Sequence, residues 1–479
     1  MNLRIVPGPC AAVCILALGC VGAQPPAATL AIRGAAVVDV RDGSLHPNQT
    51  VLVDGRRIVG VGPADEVAIP DGVDVVDGTG GYLIPGLWDM HAHAFMDSPE
   101  TEQMIAGIPV DRDRPDAWRT FYGPTLNVLL ANGVTGIREM WGDRHVLAAV
   151  RAEHAAGALT SPRFVAAGHF LSGPGVPFPG TTVVRDPAAA RMVVDSLAGT
   201  GADFIKVSEG LTLETYEAIV DQARRRGLAV AGHVPEGVGL AAAADAGQRS
   251  IEHTPALLDC GVEPPADTSG PAGELDSGDT CRRIAERLLA NGTWVVPTLV
   301  AGRGYAFMRD SAFGADPRTR YTPRIIRPVW SPATSVLVKD MPENAWAMLR
   351  TMYDRSLRAV GALNREGVRM MAGSDFWNPY AFAGFGLHDE LALLVEAGLE
   401  PLEALRAATL EPARYLEATD SLGSIEAGKL ADLVLLEGNP LQDIRNTSRI
   451  RAVVLDGRVF RRDELERMLA EAERHWRAP

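Results

Sequence analysis

Four histidines, one aspartate and one lysine stand where short apolar runs end, and their types point to metal chemistry. His91 and His93 close the run "PGLWDMHAH". In a strand, residues two apart face the same side, so both imidazoles can aim at one point. His233 ends "LAVAGHV", His253 ends "SIEH", and Asp375 follows "VRMMAGSD". One histidine in such a place is commonly a hydrogen-bonded core residue. Four histidines and an aspartate at the same end of their strands read instead as metal ligands. The donors are nitrogen and oxygen without thiolate, which suits zinc, manganese or iron, with zinc the default.

Lys206 ends "GADFIKV", among apolar neighbours. A buried ammonium is costly and tends to lose its proton. The neutral amine can then take up carbon dioxide as a carbamate, an anionic ligand able to bridge two cations. Arginine cannot do this. Lysine occurs only at 206, 339 and 429, so the chain uses arginine almost wherever a cation is wanted. The alternative is a lysine paired with a carboxylate such as Glu252.

These residues need a scaffold that delivers strand ends to one place. Apolar strands are expected at 83–90, 134–140, 163–167, 203–207, 229–231, 250–252, 293–297 and 368–372. Amphipathic helices such as 213–226 and 345–366 lie between them. Glycines suited to helix C-termini (133, 227, 247, 292, 367) often precede the next strand. Eight such units in series predict an α/β fold of the (β/α)8 TIM-barrel type, which carries its active site at the C-terminal ends of the strands. The rival is an open doubly wound sheet, but no glycine-rich phosphate loop follows the first strand. The β-rich stretches 28–82 and 417–462 are each too small to bury two faces, so both chain ends are expected to form one small β-sandwich. The barrel then spans 83–416, and a polar helix occupies 463–479. Two long connections, 171–187 and 298–343, are expected to wall the site; the second carries Tyr305, Phe307, Tyr321 and Trp330.

The 479 residues carry a net charge of −14, with 47% hydrophobic residues. That excludes a disordered chain, and the acidic balance without a basic aromatic patch argues against nucleic acid. Residues 1–23 read as an export leader: Arg4, a short apolar run, then Val21-Gly22-Ala23 before the cut. A lipoprotein signal ending at Cys20 is the second reading. Either places the protein outside the cytoplasm, in the periplasm or anchored to the cell envelope. Cys260 and Cys281 remain clear of the leader and are expected to pair as a disulfide, with two buried thiols the alternative.

The motifs "PGLWDMHAH", "FIKV", "AGHV", "SIEH" and "AGSD", taken in order, resemble the amidohydrolase superfamily. "GKLADLVLL" is similar to its β-sandwich return, and "GLHDELALLVEAGLEPLEALRAATLEPARYL" resembles the imidazolonepropionase- and prolidase-like branch. The resemblance implies two divalent metal ions. His91, His93 and Asp375 would hold one and His233 and His253 the other, with carboxylated Lys206 (N6-carboxylysine) bridging. A hydroxide between the metals would attack an amide carbonyl, and Asp375 would shuttle the proton to the leaving nitrogen. Two stretches depart from the pattern. Gly-Ser-Asp stands for the commoner Gly-Thr-Asp, and "AAGHFLSGPGVPFPG" lacks the histidine-rich loop expected of dipeptidases. His169 and His388 are weaker candidates for substrate contact, and Arg138 with Glu139 for an orienting pair. The expected reaction is hydrolysis of an amide C–N bond in a peptide, N-acyl amino acid or related small molecule. Cyclic amides or lactones are the second substrate class, and a metal-free binding protein is the third reading. Self-association is left open.

Overall fold

Both chain ends meet in one sheet. The computed structural model describes residues 27–95, 117–176, 181–261, 277–324, 326–335 and 338–477. The expected leader, residues 1–23, therefore lies outside the described residues. Among them, no helix is long and apolar enough to cross a membrane. Strand Leu30–Val38 pairs antiparallel with Leu45–Asp54, which turns at Gly55 into Arg57–Pro63. The N-terminal strand Tyr82–Pro85 runs antiparallel to the C-terminal strand Leu433–Leu436. The latter continues the sheet through Ile450–Leu455 and Arg458–Arg461. The result is an eight-stranded mixed sheet with a buried face that includes Ile32, Val51, Ile58, Leu83, Leu433 and Val454. Alternation supplies that face: successive side chains of a strand point to opposite sides.

Between the ends, the strands are parallel and alternate with helices. Leu87–Ala92, Val134–Glu139 and Arg163–Ala166 form one set. Phe204–Val207, Ala229–Gly232, Ser250–Glu252 and Trp294–Val296 belong to another. The Asp203 amide donates to the Ala166 carbonyl at 2.8 Å, joining the sets. Residues 368–372 are not a regular strand, but Met370 bridges Val295, and the Met90 amide donates to the Ala372 carbonyl at 2.9 Å. The expected helices stand at Leu213–Arg225 and Glu343–Arg365, and the C-terminal one at Arg462–Arg477. Gly247 ends its helix with φ +90°, the left-handed turn that favours glycine.

One expected strand divides. The sequence pattern predicts one run over 83–90, but Tyr82–Pro85 belongs to the mixed sheet and Leu87–Ala92 to the parallel set. Gly86 is the pivot. Its amide donates to the Asp432 carbonyl, and a Cβ there would sit 2.0 Å from Thr135 Oγ1. An apolar run carries no mark of a change of sheet. Cys260 and Cys281 are disulfide-bonded, with Cα atoms 4.3 Å apart.

Candidate metal centre

The ends of four parallel strands, and the turn after residues 368–372, bring the expected ligands together. Four imidazoles stand in a row, His93–His91–His253–His233, with ring centroids 5.2, 4.7 and 4.8 Å apart. Asp375 reaches across three of them. Its Oδ1 is 2.9 Å from His93 Nε2 and 3.4 Å from His91 Nε2, and its Oδ2 is 3.6 Å from His253 Nδ1. His91, His93 and Asp375 offer donor atoms all within 4.8 Å of one another, a spacing fit for one ion. Lys206 Nζ lies 3.4 Å from His91 Nε2, at the junction of the row. His233 Nδ1 is 3.3 Å from Glu209 Oε1, and His253 Nδ1 is 2.7 Å from Thr298 Oγ1.

Electrostatics suit a cation. Burial holds the His91 and His253 imidazoles well below their ordinary pKa, and lowers His93 too. They are therefore neutral near pH 7, the form that donates to a metal. Burial brings the Lys206 amine down to about 8. Burial works to raise Asp375, but the His93 hydrogen bond and neighbouring positive charge outweigh it, and the carboxyl stays below its usual range. His93 Nδ1 is buried without a hydrogen-bond partner.

A second layer fixes the first. Arg138 is wholly buried and donates from Nη2 to both Glu252 oxygens at 2.7 and 2.8 Å. Its other nitrogens donate to the Met90 carbonyl, Ser250 Oγ and the Tyr415 hydroxyl. Glu252 Oε2 stands 2.9 Å from His91 Nδ1. A carboxylate held by arginine only accepts, so His91 donates from Nδ1 and presents the Nε2 lone pair to the site. Asp89 accepts the Ser374 and His91 amides at 2.9 and 3.2 Å and the Ser374 hydroxyl at 2.5 Å. Serine at 374 thus supplies the hydroxyl a threonine would. Backbone strain gathers here as well. Of eight described non-glycine residues with positive φ, five are His253, Thr298, Asp375, Trp377 and Tyr380.

One expectation needs correction, and one alternative falls away. Arg138 does not pair with Glu139: neighbours on a strand face opposite sides, and Glu139 accepts the Ala94, Phe95 and Trp141 amides instead. Glu252 is engaged by Arg138 and His91, which leaves it no ion pair with Lys206. His388 is buried and outside the described lining of the site's cavity, with Nδ1 3.0 Å from Thr447 Oγ1 and Nε2 3.0 Å from the Asn132 carbonyl. His169 lies 3.7 Å from Asp143 and outside the described lining of the site's cavity.

That cavity, about 520 Å³, opens over the ligands. Tyr305, one of the four aromatics noted in the long connection, lines it and donates to Asn378 Oδ1 at 2.9 Å. Trp330 instead packs on Phe382 and Tyr380 and donates to the Trp377 carbonyl. Sequence reading missed Asp89, Thr298 and the Trp141 and Phe170 walls. Of these only Asp89, an acid within an apolar strand, carried a local signal. The helix Leu299–Ala306, which carries Tyr305, depends on close packing: a Cβ on Gly304 would collide with the Pro379 carbonyl. Gly304→Ala is expected to destabilise by about 2 kcal/mol. Urea unfolding would check this, and an unchanged midpoint would refute the contact.

The amidohydrolase family model matches residues 82–460. The chain is 26% identical over 417 residues to the imidazolonepropionase of Symbiobacterium thermophilum, covering 83% of this chain and 85% of that protein. It is 25% identical over 410 residues to the ochratoxinase of Aspergillus niger, covering 78% and 73%. Among solved structures it resembles bottromycin amidohydrolase, with TM-score 0.69 and 27% identity over 93% of this chain and 90% of that one. It also resembles an Xaa-Pro dipeptidase with bound methionine, with TM-score 0.68 and 24% identity over 90% and 99%. The fold is accordingly of the α/β TIM-barrel type; the family generally uses divalent metal ions, and the His91–His93–Asp375 cluster is one that could hold such an ion. The chain belongs to the amidohydrolase family, in its imidazolonepropionase- and prolidase-like branch, and is an enzyme of carbon–nitrogen hydrolysis.

Proposed function

We propose that this enzyme hydrolyses a small-molecule amide with two divalent ions, zinc by default, held at the mouth of a closed barrel. One observation carries the reading: four imidazoles, a carboxylate and a buried amine converge from four strand ends and the turn after residues 368–372. Barrel closure is supported by the backbone bonds of Ala372 to Met90 and of Met371 to Val295. His91, His93 and Asp375 would hold one ion and His233 and His253 the other, with Lys206 as its carbamate between them. The mixed sheet of the chain ends would be the small companion domain, and residues 1–23 the export leader.

When bound, such ions supply Lewis acidity, lowering the pKa of water and polarising a carbonyl. The chain's own residues do the rest. Glu252 keeps His91 in the tautomer with its proton on Nδ1 and its lone pair at Nε2. The neutral imidazoles and the low-lying Asp375 carboxyl provide the electron pairs that hold cations. Asp375 is also placed to take a proton from the attacking water at Oδ1 or Oδ2 and pass it to the leaving nitrogen.

The purified protein is expected to hold about two equivalents of metal and to lose activity on chelation. Zinc with bicarbonate should restore both. The assay is metal analysis beside turnover of dipeptides, N-acyl amino acids, hydantoins and lactones. Turnover of lactones alone would overturn the amide reading. Less than about half an equivalent, with no activity after reconstitution, would mean a binding protein.

A further inference from the structure

We propose that the substrate is an uncharged amide bearing an aromatic or bulky aliphatic group, without a free carboxylate beside the scissile bond. The proposal rests on the hydrolase reading above and deepens it.

Two apolar walls flank the ligands. Trp141 meets Phe170 edge-on at 5.3 Å, and its ring lies 6.3 Å from that of His93. Apolar surface thus begins beside the ligand row. The other wall comes from helix Glu343–Arg365, where Leu349, Met352, Tyr353 and Ser356 all line the cavity. Their i, i+3, i+4, i+7 spacing is one helix face. Such a stripe ordinarily covers a core; here it fronts open space. Ser356 adds little polarity to it, because its hydroxyl is engaged by Thr254 and by the Met352 carbonyl. A cavity of about 520 Å³ with such walls gains most from an apolar occupant.

Charge narrows the choice. Among the described lining residues the charged groups, histidines aside, are Lys206, Glu209 and Asp375, and no arginine is present. Lys206 is buried against His91 and has no reach to a distant substrate group. A substrate carboxylate away from the ligands would find Glu209, neutral hydroxyl and amide groups and apolar side chains, and no cationic partner among the described lining residues. An ionised group is costly to desolvate without a partner. In the reaction the hydroxyl of water joins the acyl carbon, the C–N bond breaks, and the proton goes to the departing amine. A neutral, apolar amine or acyl group is therefore what this cavity can retain.

The test compares N-benzoyl-phenethylamine with N-benzoyl-phenylalanine, which differ by one carboxylate. The metal-loaded enzyme is assayed for kcat/KM, and metal-free protein for Kd through the fluorescence of Trp141 and Trp377, both on the cavity wall. The neutral amide is expected to be at least about tenfold better in both. Leu349→Arg should reduce that preference at least about tenfold with metal content unchanged. Met352→Lys serves if the first variant misfolds. Equal or better turnover and binding of the carboxylate would overturn the inference and leave the hydrolase reading intact. Absence of turnover with tighter neutral binding would overturn the hydrolase reading alone. Absence of both turnover and binding would overturn both.

Discussion

Lys206→Arg is expected to lower kcat/KM by about a thousandfold or more and to leave at most about one equivalent of metal. The amine at 206 is buried, with its Nζ 3.4 Å from His91 Nε2 and its pKa pulled down to about 8. A neutral amine there can become a carbamate, which brings two oxygens and a negative charge to the centre of the ligand set. A guanidinium does not lose its proton and cannot form one. It would place a permanent cation where the proposed pair of metal ions would sit. Metal removed in this way takes with it several kcal/mol of transition-state stabilisation, which is the source of the thousandfold. The strand itself should persist, since Phe204, Ile205 and Val207 keep their burial. Circular dichroism would show this beside metal analysis. Native metal content and turnover in the variant would refute the carbamate.

The second large effect is expected one layer out. Arg138→Met should destabilise the fold by about 3–5 kcal/mol, because Glu252 is left buried with its charge unpaired. It should also weaken metal binding by about 10–100-fold. Glu252→Gln separates the two effects. Its amide keeps the shape, but when its oxygen faces Arg138 its NH2 faces His91 Nδ1. The imidazole must then accept at Nδ1 and carry its proton on Nε2, the atom meant for the metal. Weaker metal binding with near-native stability is the expected signature. Chelator competition and urea unfolding measure the two quantities independently. Native affinity in a folded Glu252→Gln protein would show that the Arg138–Glu252–His91 relay does not position the ligand. Arg138→Lys is not expected to rescue, because one ammonium cannot replace a fork that engages both Glu252 oxygens and three further acceptors.

These residues mark how far the chain could be read before its fold was known. His91 and His93 were legible because a strand repeats every two residues, and that rule needs no partner. The same rule should have separated Arg138 from Glu139, which are adjacent and so face opposite ways. Arg138 finds its partner 114 positions along the chain. His388 shows the converse: its motif invited a substrate-contact reading, but Thr447 and Asn132, both remote in sequence, occupy its ring nitrogens. The stripe Leu349–Met352–Tyr353–Ser356 has the spacing of any core-facing helix. Nothing in that spacing says that it borders a cavity.

The residue pattern alone determined the strand-and-helix alternation, the polar residues at strand ends and the donor types. All of these follow from local periodicity and side-chain chemistry. Tertiary structure decided that the ligands meet and that Glu252 serves His91 rather than Lys206. It also decided that Gly86 divides one apolar run between two sheets and that the cavity walls are apolar. Each of these depends on which distant segments pack together. Pairing across the fold is set by the best burial available to the whole chain, and neighbouring residues carry no record of it.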